Sequence, residues 1–257
     1  MKANYHTHCY LCGHAEGRVE DYVAEAVNRG LTELGISDHV PYPGDAFDER
    51  MTYDKFYGYI EEIDALKAKY KDKIHVLAGV ESEYFPDFAP YYERIRNDLD
   101  YMILGQHFFR TDNRNIVNCF VNVTDSLEYV IYANSCVEAM KTGLYDCLCH
   151  PDLIFLNDIA SDKNTRKAID IIVDAAVKYD FVLELNANGF RRGIRKYADG
   201  DRYPYPYAPL WEAVAASKVR TIIGSDCHSP SLLCDYKVAF AKDYADKLGI
   251  NIISTLF

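Results

Sequence analysis

One alternation runs the length of the chain: a short apolar or β-branched run, a turn, then an amphipathic stretch, with no Pro/Gly/Ser linker or low-complexity segment dividing it. The first run ends near Asn4 and Tyr5, and the others cover residues 33–37, 74–80, 101–104, 146–149, 181–185 and 220–223. Helical stretches are predicted over 19–29, 53–69, 91–98, 126–142, 165–179, 209–217 and 232–248. In the first of these, Val19, Tyr22, Val23, Ala26 and Val27 share one face and Gly30 is a stop signal; in the second, Phe56, Ile60, Ile63 and Leu66 recur at helical spacing. Seven strand–helix units in unbroken order imply a parallel sheet. The strands read as continuous apolar runs, as strands covered on both faces do. The expected form is an α/β fold, a closed or nearly closed TIM-like barrel forming one domain over 1–257, with a doubly wound open sheet as the alternative.

Composition narrows the partners. A net charge of −11 argues against nucleic acid and anionic membranes, which need a basic surface. It leaves phosphate substrates open, because bound metal ions reverse the local sign. No apolar run reaches the roughly 18 residues of a membrane span, and the N-terminal residues lack a signal-peptide core, so a cytoplasmic location is expected. The eight cysteines are expected to be reduced and buried rather than bridged; structural zinc at Cys9/Cys12 or Cys147/Cys149 is the alternative.

The metal-type side chains fall at the ends of the predicted strands. His6 and His8 follow the first, with His14 just beyond; Asp38 and His39 follow the second; Glu81 the third; His107 the fourth; His150 and Asp152 the fifth; Asn186 and Asn188 the sixth; Asp226 and His228 the seventh. In a parallel barrel these ends meet at one rim. A lone histidine at a strand end is ordinarily a hydrogen-bonded structural residue. His6-Thr-His8 and Asp226-Cys-His228 say more, because residues i and i+2 point to the same side of a strand. Seven of the eight histidines occupy this rim, and His75, at the start of the third run, is read as structural. Imidazole with carboxylate suits zinc, iron or manganese. So many ligands exceed the needs of one ion, so two or three divalent ions are expected, with Glu81 the best bridge. Paired metals activate water and clamp both oxygens of an in-line displacement, which suits phosphate ester hydrolysis.

The motifs His6-Thr-His8, Ser37-Asp-His39, Gly79-Val-Glu81, Gly105-Gln-His107, Cys149-His-Pro-Asp152 and Gly224-Ser-Asp-Cys-His228 resemble, in order and across nearly the whole chain, those of the PHP (polymerase and histidinol phosphatase) superfamily. The resemblance implies a distorted (β/α)7 barrel and a trinuclear site. Carried over by position, His6, His8, Glu81 and Asp226 would hold one ion, Glu81, His107 and His150 a second, and His14, His39 and His228 a third. Within the superfamily the chain is most similar to the monofunctional histidinol-phosphate phosphatases. That similarity rests on its size, on Tyr5-His-Thr-His8, on Asp38-His-Val-Pro-Tyr-Pro43, and on Glu184-Leu-Asn-Ala-Asn-Gly189 followed by arginines. The expected substrate is therefore a small phosphomonoester, L-histidinol phosphate, cleaved by a metal-bridging hydroxide. Other phosphomonoesters (phosphotyrosine, sugar phosphates), a nuclease, and a non-enzymatic metal-binding regulator are the competing readings.

Arg191, Arg192 and Arg195 follow the sixth run and are candidates to grip phosphoryl oxygens bidentately, Arg192 being favoured. Asp226 and His228 are the candidates for proton delivery to the leaving group. Glu83, Tyr84, Phe109 and Tyr42 are candidate contacts for the substrate's amine and imidazole. The Tyr- and Pro-rich segment 200–209 has no role assignable from sequence.

Overall fold

The computed structural model describes residues 1–111 and 115–257. Seven strands stand where the alternation puts them: β1 (Ala3–Asn4), β2 (Glu33–Ile36), β3 (His75–Ser82), β4 (Tyr101–Leu104), β5 (Cys147–Leu148), β6 (Val182–Asn186) and β7 (Thr221–Gly224). They pair in sequence order, each parallel to the next. A doubly wound sheet would reverse its strand order part-way, so that alternative is excluded. First and last strands meet through a parallel bridge between Thr7 and Cys227, where the His8 amide donates to the Cys227 carbonyl at 3.0 Å. At the other end of this seam the final residues fill the gap. Ile252 bridges Thr221, the Leu256 amide donates to the Tyr5 hydroxyl at 3.0 Å, and Phe257 packs edge-on against Tyr5 and Tyr101. The fold is a nearly closed, distorted (β/α)7 barrel.

The main helices are α1 (Val19–Asn28), α2 (Phe56–Tyr70), α3 (Ala89–Arg96), α4 (Leu127–Thr142), α5 (Lys163–Lys178), α6 (Ala187–Arg191), α7 (Ala208–Ser217) and α8 (Tyr236–Leu248). The last begins later than the sequence predicts. Asp235 caps it by accepting from the Lys237 and Val238 amides, and Pro230–Leu232 forms a separate 3-10 turn. Strand β3 runs two residues past the predicted end, so Glu81 lies within the strand instead of after it. Two hairpins, Phe108–Arg110 with Ile116–Asn118 and Arg195–Tyr197 with Gly200–Arg202, were not predicted. Their three-residue strands are too short to show a period. Among the described residues no helix is long and apolar enough to cross a membrane.

Alternation along the strands sorts side chains into two apolar layers. Val76, Ala78 and Val80 of β3 and Leu183 and Leu185 of β6 face the helices. Leu77, Ile103, Cys147, Val182 and Ile222 point into the barrel, with Tyr5 and Tyr101, and plug its lower half. The same parity carries Glu81 and Glu184 inward above that plug. The Tyr101 ring lies across the interior and its hydroxyl donates to the Tyr5 carbonyl at 2.8 Å. Gly35 and Gly79 make room for it, since a Cβ at either position would collide with that ring. Overpacking of this kind costs about 1–3 kcal/mol or more. Gly79→Ala should therefore lower the urea midpoint by an amount in that range. Adding Tyr101→Leu should recover part of the loss, and fully additive losses would show that the ring is not the obstacle.

Candidate metal centre

Thr7 holds the loop that presents the first two histidines. Its hydroxyl donates to the Gly35 carbonyl at 2.8 Å, and its amide donates to the Ser37 hydroxyl at 3.1 Å. His6 and His8 on either side point the same way, their Nε2 atoms 3.1 Å apart. Both face Glu81, whose carboxylate is the hub. Its Oε1 lies 2.8 Å from His150 Nε2 and 3.4 Å from both His6 Nε2 and His107 Nε2. Its Oε2 lies 3.1 Å from His39 Nδ1 and 3.5 Å from His8 Nε2. Asp226 approaches from the far side of the seam, its Oδ1 3.6 Å from His6 Nε2, 3.4 Å from His8 Nε2 and 3.6 Å from His228 Nδ1. His228 reaches His14 at the open edge, Nε2 to Nε2 3.0 Å.

The structure thus brings together all nine side chains singled out at the rim, and His75 lies at the opposite end of β3, exposed and 2.8 Å from Glu33. The groups whose ligand atoms lie within 4.8 Å of one another differ from those the resemblance implies: Asp226 joins His6 and His150, and Glu81 and His107 join His39. With His39 and His228, the residue whose ligand atom lies within 4.8 Å is His8, not His14. Of the alternative zinc half-sites, Cys9, Cys12 and Cys147 join no such group among the described residues, and Cys149 does so only with His6 and Glu184 beneath the site. None of the eight cysteines is bridged.

An outer ring of acceptors orients the imidazoles, a role that sequence reasoning gave to none of them. Glu184 Oε1 lies 2.8 Å from His6 Nδ1, Glu83 Oε1 lies 3.0 Å from His107 Nδ1, and the Cys12 carbonyl lies 3.2 Å from His14 Nδ1. Each contact leaves Nε2 directed inward, the arrangement that fixes the tautomer of a ligating histidine. Asp38 Oδ1 lies 3.4 Å from His8 Nδ1, too poorly aligned to count as a hydrogen bond. The glycines of two motifs have a steric reason: a Cβ at Gly105 would strike the Glu81 carboxylate, and one at Gly224 would strike that of Glu184. His150 and Asp226 both adopt positive φ (30° and 48°), a conformation that strains such residues and gathers at functional sites.

Electrostatics and hydrogen bonding test whether these residues suit a cation. Burial opposes the charged form of Glu81, yet the rings of His107, His6 and His39 hold its carboxyl well below the usual range. Burial likewise opposes ionisation of Asp226, and His6 and His8 overcome it. Burial, then the neighbouring His8, pushes His39 down to about 4 and His228 to about 3, leaving them as neutral rings, the form that ligates metal. His8 Nδ1, Glu81 Oε2 and His150 Nδ1 are buried without a hydrogen-bond partner. Buried polar atoms are rarely left so. Burial opposes charge on His6, His8 and His107 as well, yet the surrounding carboxylates raise all three, His8 to about 9, so these rings would exchange a proton for a bound cation. With the anionic oxygens and the unpartnered lone pairs, the set fits divalent cations of the zinc, iron or manganese kind.

A cavity of about 480 Å³ opens above the cluster, lined by His14, His39, His107, His150 and His228 with Glu81 and Asp226 at its floor. Arg192, Tyr205, Phe120, Asp48 and Glu49 form its outer wall. Arg50 also lines the cavity but is paired with Glu83; of the three candidate arginines, Arg192 is the one that faces it. Arg191 does not: its guanidinium is consumed by Asp235, the Ser225 carbonyl at 2.6 Å and the Leu232 carbonyl at 3.0 Å. Arg195 sits exposed on a hairpin strand away from the cavity. The expectation that these two grip phosphate is corrected accordingly. The proposed amine and imidazole contacts are corrected too. Tyr42 and Phe109 are buried, and Glu83 is held by Arg50, His107 and Tyr42. Neither these three nor Tyr84 reaches the cavity wall. Asn186 and Asn188, noted at the rim without a role, donate to Asp226 Oδ2 at 3.1 and 3.2 Å.

Outer partners of ligating histidines typically govern affinity by 10- to 100-fold. Glu184→Gln keeps the shape of the side chain but not its charge. It should weaken metal retention against a competing chelator by roughly that factor, with the urea midpoint little changed. Unaltered metal affinity would show that Glu184 does not orient His6.

Known proteins share both the sequence pattern and the architecture. A probable histidinol-phosphatase from Deinococcus radiodurans is 28% identical over 234 residues, covering 88% of this chain and 85% of that protein. The histidinol-phosphatase of Bacillus subtilis is 24% identical, over 89% of this chain and 94% of its own length. The structure of histidinol phosphate phosphatase from Lactococcus lactis, complexed with zinc, L-histidinol and phosphate, shares the fold with a TM-score of 0.71 at 20% identity, over 99% of this chain and 96% of that one. The family model described as PHP domain matches residues 4–188, well over half the chain, and by that match the chain belongs to the PHP domain family.

Proposed function

We propose that this protein is a metal-dependent phosphomonoesterase, acting as one catalytic unit over residues 1–257, that hydrolyses L-histidinol phosphate to L-histidinol and phosphate. The observation that carries the reading is the clustering of nine ligand-type side chains, Glu81 central among them, beneath a cavity whose wall holds an arginine uncommitted among the described residues. The named activities of the Deinococcus, Bacillus and Lactococcus proteins support the same substrate.

His6, His8, Glu81, Asp226, His107, His150, His14, His39 and His228 would hold two or three divalent ions. When bound, these supply Lewis acidity to phosphoryl oxygens and lower the pKa of water towards neutrality. The chain's own contribution is positional. Glu184 and Glu83 fix the rings, and Asn186 and Asn188 fix Asp226. Arg192 offers guanidinium hydrogens to the phosphoryl group. His228 and Asp226 line the cavity, and as groups that hold no acidic proton of their own at neutral pH they would relay one from water to the leaving oxygen. Asp48 and Glu49 give the outer wall carboxylates suited to a cationic substrate. A narrow, partly acidic cavity on a chain of net charge −11 favours a small phosphomonoester over a nucleic acid, and a biosynthetic role of this kind places the protein in the cytoplasm.

Phosphate release from L-histidinol phosphate, compared with phosphotyrosine and sugar phosphates while metals are quantified on the same sample, tests the proposal. A clear preference is expected, and equal, slow rates across the panel would sink it. His8→Ala should abolish turnover and lower metal content with the fold retained; turnover persisting at full metal content would remove His8 from the site. Arg192→Ala should keep its metals while kcat/KM falls about 100-fold, the scale of losing an oriented donor at a developing charge. An unchanged kcat/KM would exclude that contact.

A further inference from the structure

We propose that Tyr205, in the Tyr- and Pro-rich segment, is the positioning residue that presents Arg192 to the phosphoryl group, a role that rests on the phosphomonoesterase reading. Among the described residues Arg192 makes no ion pair, and among them its guanidinium has one hydrogen-bond partner: Nε donates to the Tyr205 hydroxyl at 3.0 Å. Its charge is flanked by two aromatic rings, with Cζ 5.6 Å from the centre of Tyr205 and 5.4 Å from that of Phe120. Nε is thereby engaged while both terminal nitrogens remain uncommitted at the cavity wall. Only the terminal pair is needed for a two-point grip on phosphoryl oxygens.

Tyr205 is itself held rigidly, which a positioning residue requires. It is 2% exposed, and its ring lies 6.5 Å from that of His150, edge to face. Its backbone presses on α6, the helix that delivers Arg192, so closely that a Cβ at Gly189 would collide with the Tyr205 carbonyl. Two residues on, the Tyr207 amide donates to Asp152 Oδ2 at 2.7 Å, and the Trp211 indole donates to the same oxygen at 2.7 Å. Asp152 lies two residues from His150. One anchored loop thus sets a histidine of the cluster, and the segment it grips sets the arginine. Substrate enters a cavity in which cation and cluster are already in register, and the ordering cost is met on folding instead of on binding.

The test is Tyr205→Phe, which deletes the hydroxyl and keeps the ring. KM for the phosphomonoester and the inhibition constant of inorganic phosphate should both rise about 3- to 10-fold, the range of one net hydrogen bond, with metal content unchanged and kcat less affected. Combining it with Arg192→Ala should add nothing beyond Arg192→Ala alone. Arg192→Lys, which lacks the Nε donor, should show a comparable loss and be insensitive to Tyr205→Phe; this variant carries the test should Tyr205→Phe fold poorly. Unchanged phosphate affinity in Tyr205→Phe, or effects that add in full with Arg192→Ala, would overturn the positioning role while leaving wild-type turnover and the phosphomonoesterase reading intact. A wild-type protein that releases phosphate from no phosphomonoester would overturn both.

Discussion

The Glu81 carboxylate, buried beneath five imidazoles, is the interaction on which the rest of the site depends. A charged carboxylate away from water is unfavourable unless it is paired and hydrogen-bonded. Here the surrounding fold is arranged to make that burial tolerable. Strand parity aims Glu81 inward, and the bare backbone of Gly105 leaves it room. Thr7 clamps the loop that brings two of the rings. The rings compensate the carboxylate, while burial first and the neighbouring His8 second hold His39 and His228 below the usual histidine range.

Charge alternates outward from this hub. Glu81 meets His107, His107 meets Glu83, and Glu83 meets Arg50 at 3.2 Å. Arg50 in turn lies over the rings of Tyr42 and Phe47. An unbroken sequence of opposite partners keeps each buried charge satisfied and fixes ring orientation by the same contacts. The same logic separates two adjacent arginines. Arg191 is spent on holding Asp235, the cap of α8, and so belongs to the scaffold. Arg192, next along the chain, has among the described residues only a phenol for a hydrogen-bond partner and stays available.

Much of this was legible in the sequence, for identifiable reasons. Long apolar runs alternating with amphipathic stretches gave the strand order, and spacing by two gave the shared direction of His6 and His8. The residues that escaped did so because their orientation is set by tertiary structure. Neighbours on a helical turn point about 100° apart, so nothing local to residues 191 and 192 says which one faces the cavity. Glu83, two residues past Glu81, shares its parity, but β3 ends at Ser82 and the chain turns, so it serves as an outer partner of His107. Glu184 was within reach: Val182, Glu184 and Asn186 alternate on one face of β6, and a carboxylate on an inward face needs a partner. The wall role of Tyr205 had no such signal, because its contacts with Gly189 and Arg192 are made across the fold by a segment without regular structure.

The closure of the barrel between Thr7 and Cys227 has a consequence for how the protein comes into being. The loop after the first strand carries His6 and His8, and the loop after the last carries Asp226 and His228, so the centre straddles the join between those two strands. The ligand groups that include Asp226 or His228 cannot be complete before the seventh strand has been made. Those groups wait until the final strand arrives, some 220 residues after His6. Once it does, any ion held across the join also fastens it, so cofactor capture and completion of the architecture become a single thermodynamic event.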